Sequence, residues 1–366
     1  MPHIAGFDAG QFKAEYWQRR HLWMPAAFPT ELCDLDANDL AGLSLDDAVE
    51  SRLILGSGNR WQCFQGPQQQ QSLEQLPSRD WTLLVQSIEL HYPPLRDVLN
   101  YFDFLPNWRL EDLMISCAAT GGSVGPHYDQ YDVFLIQLSG QRQWQTGDFC
   151  DASSPRLECD ALRLLRDFQP RDSYIASPGD CLYLPPGQSH HGVALDDDCV
   201  TLSVGFRAPD QAELLQAFAS EMLEQEQLSP RFRDANDLTG SAEIPASAIE
   251  QAYQVAGLSI APIPLSFMIA FGRLVTRPMP AFWDIDATEL EAPTSGLYPG
   301  ARWAYIDTIH DNDACLLFVN GEYKQLPGDA LSQCRQLDRA LRQATHAFAG
   351  ISEDLIEFFR DQSALP

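Results

Sequence analysis

Positive charge is what this chain has least of: 24 Lys and Arg stand against 51 Asp and Glu, a formal net charge of −27 over 366 residues. A protein that grips duplex nucleic acid needs a basic stripe to displace counterions from phosphates, so direct nucleic-acid binding is disfavoured. A basic partner would complement such a surface, although an acidic surface also serves solubility alone. Paired cysteines are missing as well. Cys33, Cys63, Cys117, Cys150, Cys159, Cys181, Cys199, Cys315 and Cys334 are scattered without a C-x-x-C pair. Neither a zinc knuckle nor a disulfide framework is therefore written here, and reduced thiols in a cytosol are expected. Long apolar runs are also lacking: the opening MPHIAGFDAGQFKAEYW is interrupted by polar residues, and the apolar stretch 261–272 is too short to span a bilayer. The expectation is a soluble, cytoplasmic protein with no membrane segment.

What is present changes texture along the chain. Residues 1–208 mix short β-like runs with turn residues, among them 51–55, 81–88, 132–138 and 180–184, the pattern of a barrel or sandwich. The run DVFLIQL ends at Ser139-Gly140 and is followed by QRQWQ, which predicts an antiparallel hairpin across the glycine. The tract QGPQQQQS reads as a polar loop. After Pro209, Asp210 and Glu213 form a capping-box pair ahead of a stripe of Leu214, Phe218 and Met222, and further helical patterns cover 247–256 and 265–275. Residues 209–277 are therefore expected to form a helical region, with its apolar faces covered by a second copy or by the same chain. In 278–366, ACLLFVNGEYKQL carries Asn320-Gly321 at a two-residue hairpin turn, and helical patterns follow at 329–348 and 354–359. Hairpin and helices together suggest a small winged-helix-like module. From residue 271 onward, 8 Lys and Arg face 14 Asp and Glu, a net −6, so that module is read as structural or protein-docking.

Chemistry concentrates in two places. His127-Tyr128-Asp129 places a histidine and a carboxylate two residues apart, and side chains two apart on a strand share a face. His190 lies 63 positions further on, inside GDCLYLPPGQSH. There Pro178-Gly179 and Pro186-Gly187 are turn signals around a short strand, which brings the histidine back toward the interior. Two histidines and one carboxylate on one face of an octahedral ion leave the remaining positions open, the arrangement of non-haem Fe(II) oxygenases. Arg142 follows Asp129 by 13 positions and offers a rigid fork suited to a carboxylate, with a surface ion pair as the plain alternative. Ser116 precedes the glycine-containing loop and offers a hydroxyl. Tyr131 and Asp132 are either ordinary strand residues or contacts for a cationic substrate group. His191 alternates away from its neighbour and is read as a non-ligand, and His3, His21, His91, His310 and His346 have no partner pattern.

The spacing G-x5-P-x-G-x2-H at 179–190 resembles the second motif of cupins, and Gly121, His127, Asp129 and Gly140 supply half of the first. Asp129 stands where many metal cupins carry a second histidine, and no glutamate follows three or four residues later. With LPNWRLEDLMIS, GPHYDQYDVFLIQLSGQRQW, LYLPPGQSHHG and LSVGFRAP in view, the chain resembles JmjC-type 2-oxoglutarate oxygenases. Within these it looks most like the bacterial ribosomal oxygenases that hydroxylate an arginine of large-subunit ribosomal protein L-sixteen. Thr120 and Ser123 depart from the glycines typical beside the metal loop.

The resemblance implies a mainly β fold with α: a double-stranded β-helix catalytic domain, a helical dimerisation region and a C-terminal winged-helix-like domain. It implies Fe(II) held by His127, Asp129 and His190, 2-oxoglutarate paired with Arg142 and assisted by Ser116, dioxygen as oxidant, and a basic ribosomal protein as substrate. Competing expectations are hydroxylation of histidine or asparagine, demethylation of lysine on another basic protein, a metal cupin that needs no keto acid, and a non-catalytic cupin binding module.

Overall fold

The computed structural model describes residues 2–57, 60–158, 162–224, 255, 265–284, 297–307, 314–327, 330–342, 348 and 350–365. By internal packing the chain divides into two units, one of residues 1–208, 278–302 and 335–366, the other of 209–277 and 303–334.

Among the described residues, the first unit is built on eleven strands. In chain order they are β1 (Leu22–Met24), β2 (Ser51–Ser57), β3 (Arg60–Gln65), β4 (Trp81–Val85), β5 (Leu110–Ala118), β6 (Asp132–Ser139), β7 (Arg142–Phe149), β8 (Asp172–Ala176), β9 (Cys181–Leu184), β10 (Gln188–Ala194) and β11 (Cys199–Phe206). Eight form one sheet in the order β1-β9-β6-β11-β5-β4-β2-β3, and three form a second in the order β10-β7-β8. Every pairing is antiparallel.

Both faces of the large sheet are covered, so β11 is buried at every position and β6 at all but its last, and β6 reads as a nearly continuous apolar run. On the outer face, Phe134, Ile136, Leu202, Val204, Ile115 and Tyr183 pack with Phe12, Leu40, Ile88, Val98 and Phe102 from the helical N-terminal segments. On the inner face, Val133, Leu135, Leu182 and Leu184 meet Trp144 and Ala176 of the small sheet. Two sheets closed over one interior make the cupin-type double-stranded β-helix.

The turn at Gly140 departs from expectation. β6 bonds to β9 and β11 while β7 bonds to β8 and β10, so the glycine carries the chain from one sheet to the other rather than closing a hairpin. The loop before β11 decides this: Gln141 N donates to Asp196 Oδ2 at 2.8 Å and Leu195 N donates to Gln141 O at 2.9 Å. The strand expected over 81–88 also ends early, because Ser87 adopts φ +48° and a short helix begins at Ile88.

In the second unit, Asp210 and Glu213 make the expected reciprocal cap, with Glu213 N to Asp210 Oδ1 at 2.8 Å and Asp210 N to Glu213 Oε2 at 2.9 Å, ahead of a helix over Gln211–Glu224. A second helix spans Leu265–Thr276, and most of the pattern at 247–256 lies outside the described residues. Strands β12 (Trp303–Asp307), β13 (Ala314–Val319) and β14 (Glu322–Pro327) form an antiparallel meander. Its β13–β14 turn has Asn320 at φ +49° and Gly321 at φ +85°, the positive pair a type I′ hairpin requires. A helix over Ala330–Arg342 lies within the pattern at 329–348, and in the first unit a helix over Glu353–Asp361 encloses the pattern at 354–359.

Candidate metal centre

The loop after β5 turns back along β10 and is stitched to it. Gly121 N donates to Ala194 O, Ala194 N to Gly122 O, His127 N to His190 O at 3.0 Å, and His190 N to His127 O at 2.8 Å. This two-bond bridge puts the first and third candidate ligands side by side, with ring centroids 4.2 Å apart. Gly187 N, at the turn before β10, donates to Asp129 O at 2.7 Å and fixes the second.

Each histidine is oriented through its other nitrogen. Nδ1 of His127 lies 2.9 Å from Gly125 O, and Nδ1 of His190 lies 3.1 Å from Gln188 O. A carbonyl only accepts, so both rings carry the proton on Nδ1 and present the Nε2 lone pair inward. Those Nε2 atoms sit 3.8 Å and 3.6 Å from Asp129 Oδ2, and one ligand atom from each residue lies within 4.8 Å of the others. Burial, reinforced by the neighbouring His127, pushes His190 down to about 4, which keeps it neutral and able to coordinate at neutral pH. His190 is 3% exposed whereas His127 and Asp129 keep 22% each, so the cluster opens to one side. Two imidazoles and one carboxylate are the donor set of a ferrous site with vacant positions.

Arg142 shares this interior. His190 pairs with Thr146 across the small sheet and Arg142 pairs with Ala194, so His190, Trp144 and Arg142 all project from the inward face. Trp144 stands between the two functions, 6.0 Å from the His190 ring and 5.6 Å from the Arg142 guanidinium. Gly192, opposite Trp144, makes room for the indole: a Cβ there would lie 2.4 Å from the ring. Arg142 is 3% exposed, and its Nε and Nη2 have no hydrogen-bond partner. A buried cation left with orphaned donors fits an anionic ligand and rules out the surface ion pair. Ser116 pairs with Thr201 on the inner face of the large sheet, the face whose Ala118 packs with Ala194. Both Ser116 and Arg142 therefore face the inter-sheet space.

The two candidate substrate contacts separate. Asp132 is fully buried, accepting from Tyr183 Oη at 2.6 Å and Gln18 Nε2 at 3.1 Å and paired with Arg109 at 3.2 Å. It is a structural anchor on the outer face, out of reach of any substrate, which decides for the strand-residue alternative. Tyr131 is 36% exposed at the mouth, and the Asp129 carboxylate raises its hydroxyl pKa. His191 lies outside the ligand cluster, edge-on to Phe168 at 6.0 Å. Trp144, Gly192 and the two orienting carbonyls were not singled out from the sequence, since no local pattern marks them.

The fold is of the cupin type, and residues 97–214 match the JmjC domain profile. Over 218 residues, 59% of this chain and 57% of the relative, the chain is 38% identical to the ribosomal protein uL16 3-hydroxylase of Escherichia coli (strain K12). It is 36% identical to a probable ribosomal oxygenase of Haemophilus influenzae, over 59% of this chain and 53% of that one. The sequence match thus spans little more than half the length of these relatives. The structure of YcfD, a ribosomal oxygenase from Escherichia coli in complex with cobalt and 2-oxoglutarate, superposes with a TM-score of 0.70 at 28% identity, covering 99% of this chain and 94% of that one.

Proposed function

We propose that this protein is an Fe(II)- and 2-oxoglutarate-dependent oxygenase that hydroxylates an arginine side chain of a large-subunit ribosomal protein. The observation that carries this reading is the open His127–Asp129–His190 cluster on the same interior as a buried guanidinium with unpaired donors. His127, Asp129 and His190 would hold the metal. Arg142 would take the distal carboxylate of the keto acid, whose charge would otherwise be buried unpaired, and Ser116 would add a hydroxyl donor. When bound, iron and keto acid supply the oxidising chemistry, one atom of dioxygen passing into succinate with release of carbon dioxide and the other into the substrate hydroxyl. The strand bridge and the two carbonyl contacts keep the imidazoles in position, and the inter-sheet packing keeps water from the keto-acid end. The −27 charge would gather a basic ribosomal protein by steering. Residues 209–277 would pair two copies in a homodimer, residues 278–366 would form the winged-helix-like module, and the protein would work in the cytoplasm without direct nucleic-acid or membrane contact. Relatives named for ribosomal oxygenase activity support the substrate class.

Mass spectrometry tests the reading. Incubated with iron, 2-oxoglutarate and enzyme, a peptide of the ribosomal protein should gain one oxygen on arginine and none when any component is omitted. An unchanged peptide, both in vitro and from the host, would overturn the substrate, and succinate release that never responds to added peptide would point to a different one.

A further inference from the structure

We propose that Arg156 is a positioning residue for the metal centre, acting from outside the sheets through Tyr128. This rests on the metal reading above and concerns residues the reaction itself leaves unused. Tyr128 sits between two candidate ligands, in the loop segment that His127 bridges to His190 of β10. Arg156 meets it there. Its Nη2 donates to Tyr128 Oη at 2.8 Å and the guanidinium lies 5.7 Å from the ring centre. Arg156 belongs to the long connection between β7 and β8, which grips the ligand loop at two further points. Leu165 N donates to Pro126 O at 2.8 Å, and Leu164, 1% exposed, packs so closely on Gly125 that a Cβ there would lie 2.7 Å from its Cδ2.

The connection is itself braced. Leu157 N donates to Leu164 O at 2.9 Å, Arg166 N to Pro155 O at 3.0 Å, and Arg166 Nη2 to Arg156 O at 3.1 Å. Contacts from β10 hold the ligand loop on one side: the His127–His190 bridge and the Gly187–Asp129 bond. Arg156 and the two leucines hold it on the other. Tyr128 cannot shift without moving both ligands, because His127 and Asp129 flank it directly. Loss of the outer contact lets the 126–129 segment relax away from His190, so the three donor atoms no longer converge. Partners one step beyond the ligands typically change metal affinity by about 10–100-fold.

The experiment titrates metal-free protein with Co(II) alone and follows its visible absorption, with no co-substrate and no turnover. Arg156→Met should weaken Co(II) binding roughly tenfold or more and alter the band pattern, and Arg156→Lys should restore part of the loss. Tyr128→Phe, which removes only the hydroxyl, should weaken binding in the same direction. The double variant should be no weaker than the worse single variant, because both remove one contact. The metal-free thermal midpoint of Tyr128→Phe should stay near that of the parent, which keeps the test valid where Arg156→Met fails to fold. Parental Co(II) affinity in Arg156→Met or, failing its folding, in Tyr128→Phe, or losses that multiply in the double variant, would overturn the proposal. A parent protein that binds no Co(II) would instead overturn the metal reading and this inference with it.

Discussion

At position 142 a guanidinium is held in the interior with two donor nitrogens unpaired, 5.6 Å from the centre of the Trp144 ring. Such an arrangement costs folding energy and makes sense as a site that waits for an anion. Arg142→Met should therefore have opposite effects on stability and binding. In the ligand-free protein it should raise stability by about 1 kcal/mol, the relief of unpaired donors exceeding the lost ring contact. The same substitution should weaken 2-oxoglutarate binding at least tenfold, and Arg142→Lys should fall between. Urea denaturation without ligand and calorimetric titration with 2-oxoglutarate read the two halves. Arg142 was legible in the sequence because it closely follows the ligand pair on a strand. Asp132, nearer still to the ligands in sequence, proved to be an anchor for Tyr183, Gln18 and Arg109. Proximity along the chain says nothing about which face of a strand is open to a cavity.

At the scale of elements, the passage from β6 to β7 decides where Arg142 lies. Gly140 adopts φ +59°, and a Cβ there would lie 2.2 Å from Asp196 Oδ1 and 2.5 Å from Asp198 O. Gly140→Ala should cost about 2 kcal/mol or more, measured by chemical denaturation, and should also weaken 2-oxoglutarate binding by shifting the start of β7. The existence of this turn was visible in the sequence, since Ser139-Gly140 interrupts two β-like runs. Its role was not. A glycine between strands specifies a reversal, but whether the strands pair with each other depends on what competes for their edges, here β11 and β9 for β6, and β10 and β8 for β7. The hairpin at Asn320-Gly321 shows the opposite case, where the flanking strands do pair and the local signal suffices.

For the molecule as a whole, a buried polar cluster makes stability depend on pH. Glu89 is 5% exposed and accepts from Leu113 N at 3.0 Å. Asp112 is also 5% exposed and accepts from Gln86 Nε2 at 2.6 Å, and Arg302 reaches the carbonyl of Glu111. Burial first, and the Asp112 charge second, push the Glu89 carboxyl up to about 8. Folded protein then keeps a proton that the unfolded chain releases in the ordinary carboxylate range. This group's contribution to stability is complete below that range and is lost as pH rises through about 8. Glu89→Gln should remove that loss, leaving a flatter stability profile between about pH 5 and 9 in denaturation midpoints. A parental slope unchanged in the variant would show that Glu89 is ionised in the fold. None of this cluster was legible beforehand, because its members come together from residues 86–89, 111–112 and 302 through long-range packing.

The sequence by itself determined the chemistry available: which residues can be ligands, their two-residue spacing, the turn residues that return His190, and the acidic balance. These are local or compositional properties, set by covalent geometry and side-chain type whatever the rest of the chain does. Only the tertiary structure decided that β6 and β7 belong to different sheets, that Asp132 is walled off while Arg142 is left unpaired, and that Arg156 reaches Tyr128 from 28 positions away. Those outcomes follow from competition among strand edges and faces for burial and hydrogen bonds, and no stretch of residues read alone contains its competitors.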